Sequence, residues 1–169
     1  MPISSAAKVV LSIVTIGFLA LGMSSTPAIA QTDPATTTFV VSATVLKDCV
    51  VAATALAFGN YTGAVNNATS TVTVTCTNTT TYTVGLSAGL ATGATVTTRQ
   101  MQDGANLLPY ALYSNSGMTT NWGNTAATNW VSGTGTGGAQ ALTVYGQIAA
   151  GLYVTPGSYT DTITATVTY

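Results

Sequence analysis

Apolar and polar residues alternate with a period of two in several short segments of the chain, and turn-forming residues separate these segments. A period of two is typical of strands, whose successive side chains point to opposite faces, whereas a helix repeats about every 3.6 residues. Threonine, valine and tyrosine, which favour strands, fill much of these segments. The pattern predicts a sandwich or barrel of antiparallel strands with almost no helix.

The predicted strands are separated by Gly, Asn, Ser and Pro, and they cover residues 49–58, 70–76, 81–87, 96–101, 107–113, 140–148 and 159–169. The strands at 70–76 and 81–87 are predicted to pair as a hairpin across Thr77-Asn78-Thr79. Pro156-Gly157 predicts a turn before the last strand. Residues 114–138 are rich in Gly, Asn, Thr and Ser, which predicts a long surface excursion with one short strand near Trp130.

The N-terminus has the pattern of a secretory signal peptide over residues 1–30. Lys8 precedes an apolar run from Val9 to Met23, and Ala28-Ile29-Ala30 offers a cleavage site before Gln31. The run is shorter than the roughly 18 to 20 residues that span a bilayer, so a retained anchor is the weaker interpretation. We expect an exported protein whose mature part has the size of one domain.

The chain contains two cysteines, Cys49 and Cys76. In an oxidising compartment they most simply pair with each other, and the disulfide would contribute about 3 to 4 kcal/mol to stability. A metal site or a catalytic thiol is the alternative. It is disfavoured because the sequence has no histidine to complete either kind of site.

Charged residues are unusually rare: three Lys or Arg and four Asp, with no Glu and no His. Nucleic-acid binding needs clustered Lys and Arg, so no nucleic-acid partner is expected. General acid–base catalysis usually relies on His or Glu, so we expect no enzymatic activity and no cofactor or metal. A surface with so little charge resists aggregation poorly, which favours a protein whose surface is covered by other copies.

Several aromatic and acidic residues have structural explanations. Tyr159 lies at the start of the last predicted strand and is predicted to form a tyrosine corner, with Asp161 binding nearby loop amides. Four aromatic residues could line a sugar-binding face, although packing in the core is the favoured interpretation: Trp122, Trp130, Tyr110 and Tyr113.

Residues 36–46 form an additional alternating segment before Cys49, with four apolar side chains on one face: Phe39, Val41, Ala43 and Val45. The strands that follow already account for a domain. The segment is therefore predicted to be an extra strand at the front of the chain.

The order of several motifs resembles the spore coat protein U domain of the archaic, Csu-type chaperone-usher pilins. These motifs are Leu56-Ala57-Phe58-Gly59, Val72-Thr73-Val74-Thr75-Cys76, Val144-Tyr145-Gly146-Gln147-Ile148 and Pro156-Gly157-Ser158-Tyr159-Thr160-Asp161-Thr162-Ile163. The resemblance covers essentially the whole mature chain, and only residues 114–138 find no counterpart.

The resemblance implies an incomplete immunoglobulin-like antiparallel β-sandwich that is completed by a donor strand. The signal peptide would be followed by a donor-strand extension over residues 31–47 and a β-sandwich domain over residues 48–169. The acceptor groove would lie between two edge strands, with these edge residues: Val50, Val51, Ile163, Ala165, Val167 and Tyr169.

The partners that the resemblance implies are other copies of the chain or related pilins, a periplasmic chaperone and an outer-membrane usher. We expect secretion through the periplasm into a cell-surface pilus that serves adhesion and biofilm formation. One alternative stays open: a stand-alone coat or matrix protein would fill its own groove. A tip adhesin would carry a binding face or a second domain, and the single-domain length argues against it. The sequence separates the pilin poorly from the coat protein.

Overall fold

The computed structural model describes residues 33–125 and 128–169. The predicted signal peptide, residues 1–30, lies outside the described residues. The chain divides into a unit that ends at Ser42 and a compact unit from Ala43 to Tyr169. Residues 33–42 are exposed and contain no strand. Over the described residues all regular structure is β-strand, and none of it is a helix that could cross a membrane.

The compact unit contains eight strands: β1 (Cys49–Ala53), β2 (Asn66–Cys76), β3 (Thr81–Leu86), β4 (Arg99–Asp103), β5 (Asn106–Tyr113), β6 (Val131–Thr134), β7 (Ala139–Ile148) and β8 (Ala165–Thr168). A five-stranded sheet has the order β1-β2-β7-β5-β4, and a three-stranded sheet has the order β6-β3-β8. All the pairings are antiparallel. The predicted antiparallel sheet architecture is confirmed.

The core lies between the two sheets and follows the period-two alternation. On β2 the side chains of Val72 and Val74 are buried, while the intervening threonines are more exposed. On β3, Tyr82 and Val84 are buried in the same hydrophobic cluster. Because alternate residues face inward, each sheet buries one apolar face against the other.

The disulfide between Cys49 and Cys76 is present, which confirms the predicted pairing. The two cysteines are register partners in the β1–β2 ladder. The bond therefore fixes the first residue of β1 to the last residue of β2.

The predicted hairpin of 70–76 with 81–87 is wrong. The first segment lies in β2 of the five-stranded sheet, and the second lies in β3 of the three-stranded sheet. The connection turns at Thr77–Thr80, where the Thr80 amide donates to the Thr77 carbonyl and Thr79 has a φ of 65°. The chain crosses from one sheet to the other here because both strands carry an apolar face that must be covered.

Two predicted strands are shorter in the structure. The first ends at Ala53 instead of continuing to Phe58, and the last covers only Ala165–Thr168. Before β8, Thr160 forms an isolated bridge with Gln102 of β4. Residues 159–169 therefore contact both sheets in turn, and this change of sheet interrupts what the sequence predicts as one strand.

The segment 114–138 contains β6, close to the predicted position near Trp130. It is not purely a surface excursion, because Trp122 is 1 % exposed and its indole nitrogen donates to the Val84 carbonyl at 2.9 Å. Trp122 and Tyr110 are both buried, which confirms core packing for these two and leaves no sugar-binding face that includes them.

Candidate functional site

A deep cleft of about 970 Å³ opens in the compact unit between two irregular chain segments. One wall is formed by residues 53–63, which begin at the last residue of β1, and the other by residues 152–165, which end at the first residue of β8. The floor consists of core side chains from both sheets: Val72, Leu86, Leu108, Leu112, Val144 and Ile148. The cleft therefore reaches the hydrophobic core.

The inward-facing side chains of the walls are only half-buried, unlike those of the floor. On the first wall Leu56 and Phe58 pack against the core, while Ala55 and Ala57 are exposed. The second wall contributes Leu152, Val154, Ile163 and Ala165 in the same way. Both walls thus keep the alternation of a strand and leave apolar surface uncovered.

The backbone of the walls is short of hydrogen-bond partners. Among the described residues, none of the backbone N–H groups of residues 55–62 or 153–159 has a partner. Strand edges with such free groups pair readily with another extended chain. The cleft has the features of a receptor for one apolar strand.

Gly146 on β7 allows the first wall to lie close to the floor. A Cβ atom at this position would meet the side chains of Leu56 and Phe58 at 2.9 Å. Any larger residue would push these side chains away from the sheet.

Of the six predicted groove-edge residues, Ile163 and Ala165 line the cleft. The other four lie outside its lining: Val50, Val51, Val167 and Tyr169. Val50 is 61 % exposed because alternation turns it away from the core. At this end of the unit the Tyr169 hydroxyl lies 3.4 Å from Asp48 Oδ1, within hydrogen-bond distance. The cleft therefore starts further along the chain than predicted, at Ala53.

The predicted donor residues lie in an exposed part of the chain. The exposed fractions of Phe39, Val41 and Val45 are 84, 83 and 83 %, and Ala43 is also exposed. No strand is assigned to residues 33–48. Large apolar side chains with this exposure mark a surface suited to a partner.

Tyr159 and Asp161 both lie in the cleft lining. The Tyr159 hydroxyl donates to the carbonyl of Thr155, four residues earlier, at 2.7 Å. Asp161 Oδ1 accepts from the backbone amides of Leu90 and Thr162 at 2.8 and 2.7 Å. These bonds fix the second wall to the neighbouring loop.

Tyr110 links this wall to the core, because its hydroxyl donates to Asp161 Oδ2 at 2.7 Å. Burial raises the pKa of Tyr110 well above its usual value, and the hydrogen bond to Asp161 raises it further. The phenol is therefore a stable hydrogen-bond donor at neutral pH.

Sequence reasoning missed Arg99, which is fully buried. Its guanidinium donates to the carbonyls of Ser87, Val96, Leu86 and Trp122 at 2.7 to 3.1 Å. Burial lowers its pKa, and the electrostatic interactions with Tyr110 and Asp161 oppose that shift. The only signal in the sequence is that it is the sole arginine.

The described residues contain no group of three or more His, Cys, Asp or Glu that could hold a metal. The cleft is lined mainly by apolar side chains and free backbone amides. Its chemistry suits the binding of an extended apolar segment.

The spore coat protein U domain model matches residues 35–166 of the sequence. This chain belongs to the spore coat protein U domain family. The match includes the exposed segment before Cys49 and both walls of the cleft.

Among solved structures, 13 chains match this family member. One belongs to the crystal structure of the CsuC–CsuE chaperone–tip adhesion subunit pre-assembly complex from archaic chaperone-usher Csu pili of Acinetobacter baumannii. The two chains are 26 % identical with a TM-score of 0.56, and the match covers 75 % of this chain and 40 % of that chain. No curated protein matches this spore coat protein U domain chain significantly. The immunoglobulin-like, all-β fold and the Csu-type resemblance are confirmed.

Proposed function

We propose that this chain is a structural pilus subunit that polymerises by donor-strand exchange. The segment of residues 36–46 from one copy inserts into the cleft of the next copy. The observation that carries this proposal is a cleft with half-covered apolar walls and free backbone amides, in a chain with an exposed, alternating apolar segment. The two features have complementary chemistry.

The energetics favour the exchange. Each large donor side chain that is buried in the cleft would contribute about 1.5 to 3 kcal/mol. Each main-chain hydrogen bond along the inserted strand would add roughly 1 kcal/mol. A head-to-tail contact of this kind leaves a free cleft at one end and a free segment at the other, so it propagates as a fibre.

The same cleft indicates which partners the chain would need. Subunits with an empty apolar cleft would aggregate in the periplasm, so a periplasmic chaperone covers the cleft. An outer-membrane usher then replaces the chaperone with the N-terminal segment of the next subunit. The similarity to a subunit of a chaperone–tip adhesion complex supports the chaperone as a partner. The function is structural, in surface adhesion and biofilm formation, and involves no enzymatic step.

A pair of neighbouring substitutions tests the proposal. Val41→Arg places a charge on the face of the donor segment that enters the cleft, whereas Val40→Arg places the same charge on the opposite face. Burying an unpaired charge is costly, so Val41→Arg lowers the yield of heat-resistant polymer ladders at least about tenfold. Val40→Arg retains the ladders, and deletion of residues 36–46 abolishes them.

Equal ladders from both arginine variants would contradict the proposal. A mature chain that remains monomeric, with residues 36–46 protected from proteolysis, would instead support the stand-alone coat protein that fills its own groove.

A further inference from the structure

One end of the cleft is closed by the fold itself. The first wall leads into β2 and the second wall follows β7, and these two strands are neighbours in the five-stranded sheet. Asn66 and Ile148 are paired, and the Gly151 amide donates to the Gly63 carbonyl at 2.8 Å beyond that pair. The walls are bonded to each other here, so no further strand fits between them.

Tyr61 reinforces this closed end with two hydrogen bonds from one hydroxyl. It donates to the Ala149 carbonyl at 2.6 Å and accepts from the Leu152 amide at 3.1 Å. Its position is fixed in turn by Asn66, whose side-chain amide donates to the carbonyls of Phe58 and Asn60 at 2.9 and 3.3 Å. Tyr61 therefore joins the first wall to the start of the second.

The first wall bends just before Tyr61. Gly59 has a φ of +68°, a conformation that residues with a side chain rarely adopt, and a Cβ atom there would meet nothing within 4 Å. Glycine is thus required at position 59 because of the positive φ angle and not because a side chain would lack space. The extended part of the wall ends at this bend.

The open part of the cleft has the same length as the donor segment. From Ala53 to Gly59 the wall spans about seven residues, or roughly 20 Å at the rise of a strand. A strand of about seven residues places four side chains on one face. Residues 39–45 have this length, with Phe39, Val41, Ala43 and Val45 on one face.

We infer that Tyr61 and the Gly59 bend form an end stop that sets the register of the inserted strand. The inference rests on the proposed function and adds to it a positioning residue. Register needs such a device because the cleft is lined mainly by apolar side chains, and a strand shifted by two residues would present the same apolar face to it. With the end stop, the strand binds more tightly in one register than in registers displaced by two residues.

Peptide capture tests this role of Tyr61. The acceptor is the full mature chain with Val41→Arg, so that its own segment does not compete. The probe is a synthetic peptide of residues 36–46 with a photo-crosslinking phenylalanine analogue at position 39, and mass spectrometry maps the crosslinked acceptor residues. We expect one cluster of crosslinks in the parent acceptor.

Removing the Tyr61 hydrogen bonds should allow the inserted strand to bind in more than one register. Tyr61→Phe keeps the ring but loses both hydrogen bonds, so the share of crosslinks displaced by two residues rises about fivefold. Gly59→Ala strains the backbone at the bend, and we expect it to raise the share of displaced crosslinks by a similar factor. The matched control is Tyr145→Phe on β7, since Tyr145 alternates with the buried Val144 and Gly146 and lies on the outer face.

An unchanged single cluster in both variants would overturn the role of Tyr61 while leaving strand exchange intact. Loss of capture by a folded Tyr61→Phe variant would also overturn it, because Tyr61 would then be needed for binding and not for register. Failure of the parent acceptor to capture any peptide would instead refute the proposed function.

Discussion

At the scale of single residues, polar groups hold the cleft in place. Arg99 joins two loops and Trp122 through four backbone carbonyls, and Asp161 joins the second wall to Tyr110 and Leu90. Gly89 permits this, because a Cβ atom there would collide with the Asp161 carboxylate. Asp161 therefore holds the second wall to the core and to the neighbouring loop.

Tyr110 predicts how stability depends on pH. Burial raises its pKa in the folded chain above the usual value of 10.0, so the folded chain keeps a proton that the unfolded chain loses. The contribution of Tyr110 to the free energy of unfolding is therefore constant up to about pH 9 and falls as the pH rises beyond about 10. Urea unfolding of the mature chain across this range measures the effect.

Tyr110→Phe removes the ionisable group and should flatten this alkaline decline. An equally steep decline in the Tyr110→Phe variant would show that another group is responsible.

Some residue roles could be predicted from the sequence and others could not. The pairing of Cys49 with Cys76 follows from their number and the expected export. The burial of Arg99 does not, because its neighbours Thr98 and Gln100 are typical of an exposed segment. Three of its four partner carbonyls belong to residues 12 to 23 positions away, and a sequence pattern carries no information about such contacts.

At the scale of elements, β1 is short and is held to the five-stranded sheet on one side only, by β2. The disulfide lies at its first residue, and the first cleft wall begins at its last residues. The covalent bond thus anchors the wall as well as the strand.

Replacing both cysteines by alanine tests this anchor. The disulfide closes a loop with a sequence separation of 27, which predicts a loss of about 3 to 4 kcal/mol in the free energy of unfolding. Urea unfolding measures the loss, and the reduced parent chain serves as the control because it should match the double variant. A loss below about 0.5 kcal/mol would contradict the role of the bond.

The alternation of residues predicts where strands lie but not which sheet they join. Val72 and Val74 alternate like Tyr82 and Val84, yet the two pairs face each other across the core. The walls illustrate the same limit. Leu56 and Phe58 alternate as in a strand, but no ladder forms there because no partner strand lies beside them in the described chain.

At the scale of the whole molecule, the near absence of charge leaves little electrostatic attraction for the proposed assembly. In the compact unit the charged residues are few: Lys47, Asp48, Arg99, Asp103 and Asp161. Arg99 is buried, and Asp161 is bound in the cleft lining. The proposed association between copies would therefore depend on apolar burial and backbone hydrogen bonds rather than on charge attraction.

Assembly should therefore be nearly independent of salt. The rate of polymer formation is expected to change less than about twofold between about 0.01 and about 0.5 M NaCl, because few charges are available for screening. As a matched control, Thr164→Lys beside the cleft combined with Thr37→Asp in the donor segment introduces an attraction that salt weakens. A strong salt dependence in the parent chain would contradict this prediction.

The central claim is that residues 36–46 fill the cleft of another copy. The most direct measurement assembles equal amounts of unlabelled and ¹⁵N-labelled mature chain and crosslinks them through a photoreactive residue at position 41. Mass spectrometry then identifies the isotope of each partner in the crosslinks to residues 53–63 and 152–165. The account predicts that mixed-isotope pairs make up about half of these crosslinks, as random assembly between copies requires. Crosslinks found only within single chains would contradict it.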